Sequence, residues 1–442
     1  MSLRFGTDGV RGPADELTDS LVAALGSAAA KVLGGASGFV IGRDTRESGA
    51  RIEAALAGGL AAGGARAESL GVVPTPTVAW VCATRGVPGA VISASHNPWA
   101  DNGIKFFGAG GRKLADDVEE ALEAVLDALL AEAAPAAPLA AVPAAASPGV
   151  AEWLDALVAS LEGRRLDRLH VVVDCAHGAL SAFAADTLRR LGARVDVLHD
   201  APDGRNINAA AGSTHPEALQ RMVTEVGADA GLAFDGDADR VLAVDESGHL
   251  VDGDHLLALF AVDLRDRGEL AGDRVVVTVM TNLGFKLAMA EQGIDVVQTA
   301  VGDRYVLEAL ETTGGSLGGE QSGHIVLADL ATTGDGLLAG VHLLDLLVRA
   351  GRPFSELAAE VMTQLPQVLV NVKVAERRAD IAEAMATEIE AEDAALGGRG
   401  RVLVRPSGTE PLVRVMVEAE EQATAEAVAE RLAEIARTLC AG

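Results

Sequence analysis

The chain lacks most of what would mark a secreted, membrane-bound or nucleic-acid-binding protein. Its three cysteines, Cys82, Cys175 and Cys440, are odd in number and far apart, and no Cys-x-x-Cys occurs. That pattern excludes a disulfide framework and leaves reduced thiols in a cytoplasmic protein as the expectation. Basic charge is scarce: 36 Lys and Arg stand against 64 Asp and Glu, a formal net charge of −28 at pH 7. Neither nucleic acid nor an anionic membrane suits such a surface, and an anionic ligand would have to be caught by a local basic site. No basic-then-apolar leader opens the sequence. The longest uncharged stretch, Ala133 to Ala151, holds Pro135, Pro138, Pro143 and Pro148, so it reads as an Ala/Pro-rich spacer and not as a membrane helix. No Gly-Lys-Ser/Thr occurs either, which argues against an NTPase.

What is present is concentrated in a few runs. Asp235-Gly236-Asp237-Ala238-Asp239-Arg240 places three carboxylates at alternate positions, on one side of an extended segment. Carboxylate oxygens select hard cations, and three of them this close would repel one another without an ion. A solvated acidic loop is the plain alternative, but the flanks are apolar. Asp235, Asp237, Asp239 and Glu246 also fit the spacing of a calcium EF-hand, except that Arg240 stands where its sharp turn needs Gly, and Ala230 to Phe234 does not read as a helix. Mg²⁺ with an open side for phosphate oxygens fits better.

The second run is Ile92-Ser93-Ala94-Ser95-His96-Asn97-Pro98, after the apolar strand-like Gly89-Ala90-Val91-Ile92. Small residues and Pro98 force a turn there, and open α/β sheets bind ligands at such strand ends. An Asn-Pro turn with incidental hydroxyls is the alternative; Lys105, Arg112 and the acidic run weigh against it. Two further runs suit phosphate. Phe5-Gly6-Thr7-Asp8-Gly9-Val10-Arg11-Gly12 offers backbone N–H groups and a guanidinium, and Arg405-Pro406-Ser407-Gly408-Thr409-Glu410-Pro411, then Arg414, offers hydroxyls and two guanidiniums. Each is also compatible with an ordinary Gly/Pro turn.

The organisation repeats. Phe39 to Gly42, Val171 to Val173 and Val275 to Val277 are apolar runs that each lead through a polar turn into a helix-like stretch. Each unit later runs an apolar strand into a motif loop, at Ser95, Asp235 and Glu320 respectively. The tail differs: Val368 to Val374 alternates, a helix-like run reaches about Ala395, and two strand-like runs and a last helix follow. The expected boundaries are 1–150, 151–250, 251–365 and 366–442.

Five of these runs, in order along the whole chain, resemble the motifs of the α-D-phosphohexomutases: Gly6 to Gly12, the Ser-His-Asn-Pro loop, the Asp-Gly-Asp-x-Asp-Arg loop, Gly318-Gly319-Glu320-Gln321-Ser322-Gly323-His324, and the Arg405 loop. Gln321 and Gly408 resemble the branch that acts on glucosamine phosphates. The resemblance implies an α/β fold: three similar α/β domains with mixed sheets plus a smaller C-terminal α+β domain, around a central cleft. It implies a phosphorylated Ser95 that shares one Mg²⁺ per chain with Asp235, Asp237 and Asp239, and Lys105 as general acid/base. Arg11 and His96 would line the transfer site, with Arg240 supporting the metal loop. Glu320, Ser322 and His324 would hold the sugar. Arg405, Ser407, Gly408, Thr409 and Arg414 would grip the phosphate not being transferred.

The implied reaction interconverts glucosamine 6-phosphate and glucosamine 1-phosphate through glucosamine 1,6-bisphosphate, which doubles as activator. The implied partner is a small phosphosugar, with room for a homodimer. A phosphoglucomutase/phosphomannomutase of the same family, a metal-dependent sugar-phosphate phosphatase and a non-catalytic sugar-phosphate sensor are the alternatives. Charge arithmetic is consistent: a phosphoserine of about −2, three aspartates and Mg²⁺ leave a deficit of about −3, which invites Lys105, Arg11 and Arg240.

Overall fold

The computed structural model describes residues 5–6, 9–34, 38–132, 148–374, 378, 380–406 and 412–440. Continuous apolar runs become interior strands, and four sheets result. The first holds Phe5–Gly6 (β1), Gly9–Pro13 (β2), Phe39–Arg43 (β3), Ala67–Val72 (β4), Gly89–Ile92 (β5) and Asp101–Phe107 (β6), in the order β1-β2-β6-β5-β3-β4. The second holds His170–Asp174 (β7), Arg194–Leu198 (β8), Ala230–Phe234 (β9), Val241–Asp245 (β10) and Leu250–Val251 (β11), in the order β11-β10-β9-β7-β8. The third holds Arg274–Thr278 (β12), Asp295–Thr299 (β13), Leu317–Gly319 (β14) and Ile325–Leu327 (β15), in the order β13-β12-β14-β15.

One four-strand pattern recurs in all three: β4-β3-β5-β6, β8-β7-β9-β10 and β13-β12-β14-β15. In each, the first three strands run parallel and the fourth turns back antiparallel. Each motif loop joins the third strand to the fourth, so Ser95, Asp235 and Glu320 occupy equivalent places. β7, β9 and β10 are buried along their whole length, which is why they read as unbroken apolar runs and not as alternation.

Helix packing follows the same economy of small residues. Ile52, Leu56 and Leu60 of the helix Gly49–Ala62 are fully buried, as the i, i+4 spacing predicts. That helix crosses Asp19–Leu33 so closely that a Cβ on Gly59 would sit 1.9 Å from the Ala23 carbonyl oxygen. Thr18 caps the start of Asp19–Leu33 through the Leu21 N–H at 3.3 Å.

Three details of the structure differ from the sequence reading. Residues 148–151, read as spacer, already belong to the helix Pro148–Ala159, which Pro starts well because its missing N–H is not needed at a first turn. The line drawn at 150/151 therefore falls inside that helix; the rest of the spacer, 133–147, lies outside the described residues. The line at 250/251 falls inside β11, which pairs with β10 and so belongs to the second sheet. The third difference involves Leu283–Glu291, the helix that follows β12.

The chain forms two compact units, Met1–Val279 with Ile294–Ala359, and Met280–Gly293 with Glu360–Gly442. The helix Leu283–Glu291 is part of the second. Its cap residue Asn282 accepts from the Leu365 N–H at 3.0 Å and donates to the Leu365 carbonyl at 2.9 Å, and the Leu283 N–H donates to buried Glu418 at 2.9 Å. Gln367–Lys373 (β16), Arg401–Pro406 (β17) and Leu412–Glu418 (β18) form the antiparallel sheet of this unit, in the order β16-β18-β17. The last helix, Gln422–Cys440, buries Ala425, Val428, Ala429, Leu432, Ala433 and Ala436 in the same core as Val413, Val415 and Val417 of β18. Among the described residues no helix is long and apolar enough to cross a membrane.

Candidate active site

Ser95 lies in a turn of left-handed backbone, with φ 52°. For a residue with a Cβ this costs about 1–2 kcal/mol, and persists only where neighbours fix the chain. They do so thoroughly here. Buried Arg46 donates Nε to Asp44 at 2.8 Å, Nη2 to the carbonyls of Ser95 at 2.9 Å and Asn97 at 2.8 Å, and Nη1 to that of Asp101 at 2.9 Å and to that of Pro98. Asn208 Nδ2 donates to the same Ser95 carbonyl at 2.8 Å. Ser93 Oγ accepts the Ser95 N–H at 2.9 Å and donates to Asp44 at 2.6 Å. Burial raises the Asp44 pKa above the usual carboxylate range despite the opposing Arg46 charge.

The serine faces the acidic loop between β9 and β10. Ser95 Oγ donates to Asp235 Oδ2 at 2.6 Å, and His96 Nδ1 is 3.4 Å from the same hydroxyl. The two loops touch so closely that a Cβ on Gly236 would lie 2.7 Å from the Ser95 carbonyl oxygen, which explains Gly in the middle of Asp-Gly-Asp. Asp235, Asp237 and Asp239 are all buried, and each offers an oxygen within 4.8 Å of the others. Burial first, and then the charges of Asp239 and Asp237, push the Asp235 pKa well up. Burial would do the same to Asp239, but Lys105, His324 and Arg240 outweigh it and the net shift is downward.

Lys105, almost wholly buried, reaches Asp237 Oδ2 at 3.0 Å and Asp239 Oδ2 at 3.3 Å. Arg240 Nε is 3.8 Å from Asp239 Oδ1, and the Arg240 N–H donates to Asp235 at 3.3 Å. Arg11 sits on β2, opposite Gly103 of β6. Burial, with the charges of Arg240 and Arg11, drops the His96 pKa to about 4, so its ring is neutral at pH 7.

The donor set fits a hard divalent cation. Asp237 Oδ1 and Asp239 Oδ1 are buried and accept no hydrogen bond from the described residues. Buried carboxylate oxygens left this way are costly unless an ion takes them. Glu246, the residue at EF-hand spacing, is elsewhere: it accepts from the Ser355 N–H at 3.0 Å and from its hydroxyl. Arg112 is also elsewhere, in an exposed ion pair with Glu311 at 2.8 Å.

The third loop joins β14 to β15. Glu320 Oε1 accepts the Gly302 N–H at 3.0 Å, and Ser322 Oγ is 3.5 Å from Glu320 Oε2. The Gly323 carbonyl accepts the Val241 N–H at 3.0 Å, at the exit of the acidic loop. The His324 ring is buried, 3.7 Å from both Asp239 and Asp303, and its Nε2 accepts the Gly334 N–H at 3.2 Å. Asp303 also pairs with buried Lys113. Ser95, His96, Lys105, Asp235, Asp237, Asp239, Arg240 and His324 thus share one region of the first unit.

Arg405 and Arg414 are in the second unit, directly paired across β17 and β18. Burial and the Arg414 charge lower the Arg405 pKa, and its Nη2 is 3.8 Å from Met280 Sδ. Ser407, Gly408 and Thr409 lie outside the described residues. Sequence reasoning missed Asp44, Arg46, Thr75 and Asn208 as site residues. Arg43-Asp44-Thr45-Arg46 was visible only as a polar turn after a strand; Thr75 and Asn208 gave no signal.

Models of the phosphoglucomutase/phosphomannomutase family match the chain as α/β/α domain I over residues 2–132, domain II over 151–248, domain III over 252–365 and the C-terminal domain over 369–435. The chain belongs to that family. Within it, the chain is similar to the phosphoglucosamine mutase of Rhodococcus opacus (strain B4), 51% identical over 98% of this chain and 99% of the relative. The phosphoglucosamine mutase of Frankia alni is 52% identical over 99% of this chain and 98% of its own length. Among solved structures, a putative phosphomannomutase from Thermus thermophilus superposes with a TM-score of 0.80 at 25% identity, covering 100% of both chains. The Aspergillus fumigatus N-acetylphosphoglucosamine mutase in complex with GlcNAc-6P and magnesium shares the fold, with a TM-score of 0.69 at 20% identity over 100% of this chain and 96% of that one.

Proposed function

We infer that the chain interconverts glucosamine 6-phosphate and glucosamine 1-phosphate, the activity for which its relatives are named, using Ser95 as the phosphoryl carrier. One observation carries this: a buried serine hydroxyl 2.6 Å from a carboxylate of a three-aspartate cluster that has two oxygens without hydrogen bonds. Asp235, Asp237 and Asp239 would hold one Mg²⁺ per chain, and a bound Mg²⁺ would supply positive charge to the phosphoryl oxygens.

Phosphorylated Ser95 gives its phosphoryl group to the free hydroxyl of the sugar phosphate. The serine P–O bond breaks and Ser95 Oγ takes up a proton, a new P–O bond forms to the sugar oxygen, and the sugar hydroxyl gives its proton to a base. Lys105 is next to Asp237 and Asp239 and is the acid/base in this reading. Arg11 and Arg240 add charge where the transferred group sits. Neutral His96 lies beside the hydroxyl and can take a hydrogen bond without adding charge. Glu320 and Ser322 hold the sugar, and His324, buried against Asp239, Asp303 and Gly334, steadies the loop that carries them. The bisphosphate then turns end for end and returns its other phosphate to Ser95. Arg405 and Arg414, with Ser407, Gly408 and Thr409, grip the phosphate that is not reacting. Catalysis is then largely positioning and charge stabilisation. The free cysteines suit a reducing, cytoplasmic setting.

The test is turnover of glucosamine 6-phosphate against glucose and mannose 6-phosphates, each primed with a trace of the matching 1,6-bisphosphate, alongside intact-protein mass. Glucosamine preference, and a phosphoryl mass on Ser95 that is discharged in turnover, are expected. Ser95→Ala should cut turnover by roughly a thousandfold or more. Preference for glucose or mannose phosphate would make it a phosphoglucomutase or phosphomannomutase, and inorganic phosphate as the main product a phosphatase.

A further inference from the structure

Two donors meet the Asp237 carboxylate, and both select the same oxygen. Lys105 Nζ lies 3.0 Å and Thr75 Oγ1 2.6 Å from Oδ2, while Oδ1 accepts no hydrogen bond from the described residues. Thr75 holds the loop a second time, through its N–H to the Asp237 carbonyl at 2.9 Å. It is 1% exposed and opens the helix Thr75–Arg85, with Pro74 and Pro76 restricting the backbone on either side. Its branched Cβ further limits χ1, so the hydroxyl has little freedom to point elsewhere.

Lys105 cannot do this alone. Its ammonium is shared with Asp239 Oδ2 at 3.3 Å, and it is a point charge at the end of a flexible stem. The threonine hydroxyl is neutral, so it orients the carboxylate without placing a competing cation beside the ion.

We propose that Thr75 is a positioning residue of the metal centre: its hydroxyl occupies Asp237 Oδ2 and so presents Oδ1 to the divalent cation, setting affinity for that cation. The inference rests on the reading that the three aspartates hold a metal. Outer hydrogen bonds of this kind commonly govern affinity ten- to hundredfold.

The test is Mn²⁺ binding to the full-length protein, followed by the paramagnetic signal of free Mn²⁺, for wild type, Thr75→Val, Thr75→Ala and Thr75→Ser, with Asp237→Asn as control. Thr75→Val keeps the shape and removes the hydroxyl. It should weaken binding about tenfold to a hundredfold, and excess Mg²⁺ should restore most of its lost turnover, which a merely structural defect would not allow. Thr75→Ser keeps the donor and should bind close to wild type. If Thr75→Val does not fold, Thr75→Ala carries the same expectation in a smaller side chain. Wild-type affinity in a folded Val or Ala variant, or a Ser variant as weak as they are, overturns the role of Thr75 alone. Wild-type protein that binds no Mn²⁺ overturns the metal reading, and this inference with it.

Discussion

Arg46 has five side-chain N–H donors, and all five are used inside the protein, on Asp44 and four backbone carbonyls of residues 95–101. No other side chain can replace that fork. Lys offers three donors from a single point and cannot span the loop. Arg46→Lys should therefore leave buried carbonyls and Asp44 short of partners, at a cost of about 2 kcal/mol or more. The check is the midpoint of denaturant unfolding at unchanged slope. A midpoint within error of wild type would show that the loop holds without Arg46. Activity should fall further than stability implies, because the left-handed turn at Ser95 relaxes first. The sequence disclosed Ser95 and the three aspartates because their chemistry is written in adjacent residues. Arg46 and Thr75 were opaque because each acts on partners far along the chain, Thr75 across 162 positions to Asp237. A threonine before Pro76 carries no local sign of that destination.

Among the elements, the three equivalent strand-to-strand loops were legible as a repeat, since each follows an unbroken apolar run into small and polar residues. The strands Gly89–Ile92 and Ala230–Phe234 fall where the apolar pattern put them. The assignment of Leu283–Glu291 to the second unit was not legible, because the bond from Leu283 to Glu418 helps decide it across 135 positions and periodicity does not. A second element carries a testable charge. The helix Gly336–Ala350 is capped by Asp335, whose Oδ1 accepts the Leu338 N–H at 2.9 Å and whose Oδ2 accepts Trp153 Nε1–H at 3.3 Å. Burial pushes the Asp335 pKa up to about 6 from 3.8, against those hydrogen bonds. A raised folded pKa means that the native state binds the proton more tightly than the unfolded chain does. Its contribution is complete below about pH 4 and is lost as pH rises through 6. The loss is up to roughly 3 kcal/mol, at about 1.4 kcal/mol per pKa unit. Asp335→Asn keeps a cap acceptor but leaves one donor unmatched, a cost that does not vary with pH. The wild-type minus variant stability should thus decline from pH 4 to pH 7. A flat difference in denaturant unfolding across that range would show that Asp335 is ionised throughout.

For the whole molecule, the problem is anionic substrate against a net charge of −28. Long-range attraction is unfavourable, so binding must come from local cations, and the second unit offers such a pair. Arg405 and Arg414 lie opposite each other on β17 and β18, which concentrates positive charge on one face of the sheet. Two guanidinium forks suit a phosphate dianion. In the proposed reaction a bisphosphate presents its non-reacting phosphate in each of two orientations, and the same clamp must accept either. Arg405→Ala should remove a charged hydrogen-bond set of about 1.5–3 kcal/mol, or roughly ten- to a hundredfold in kcat/KM. The loss should be shared by glucosamine 6-phosphate and glucosamine 1-phosphate, since either direction uses the clamp twice in every turnover, once in each orientation. The fold should not suffer, and unfolding of the variant should stay near the wild-type midpoint. Ser95 should still accept phosphoryl from excess bisphosphate, because its own partners are Asp235, Arg46 and Asn208 in the first unit. Released bisphosphate per turnover should rise, as the intermediate is held by fewer contacts during its reorientation. A variant that releases no more bisphosphate per turnover than wild type, or one whose Ser95 no longer becomes phosphorylated, would rule out a shared clamp at Arg405.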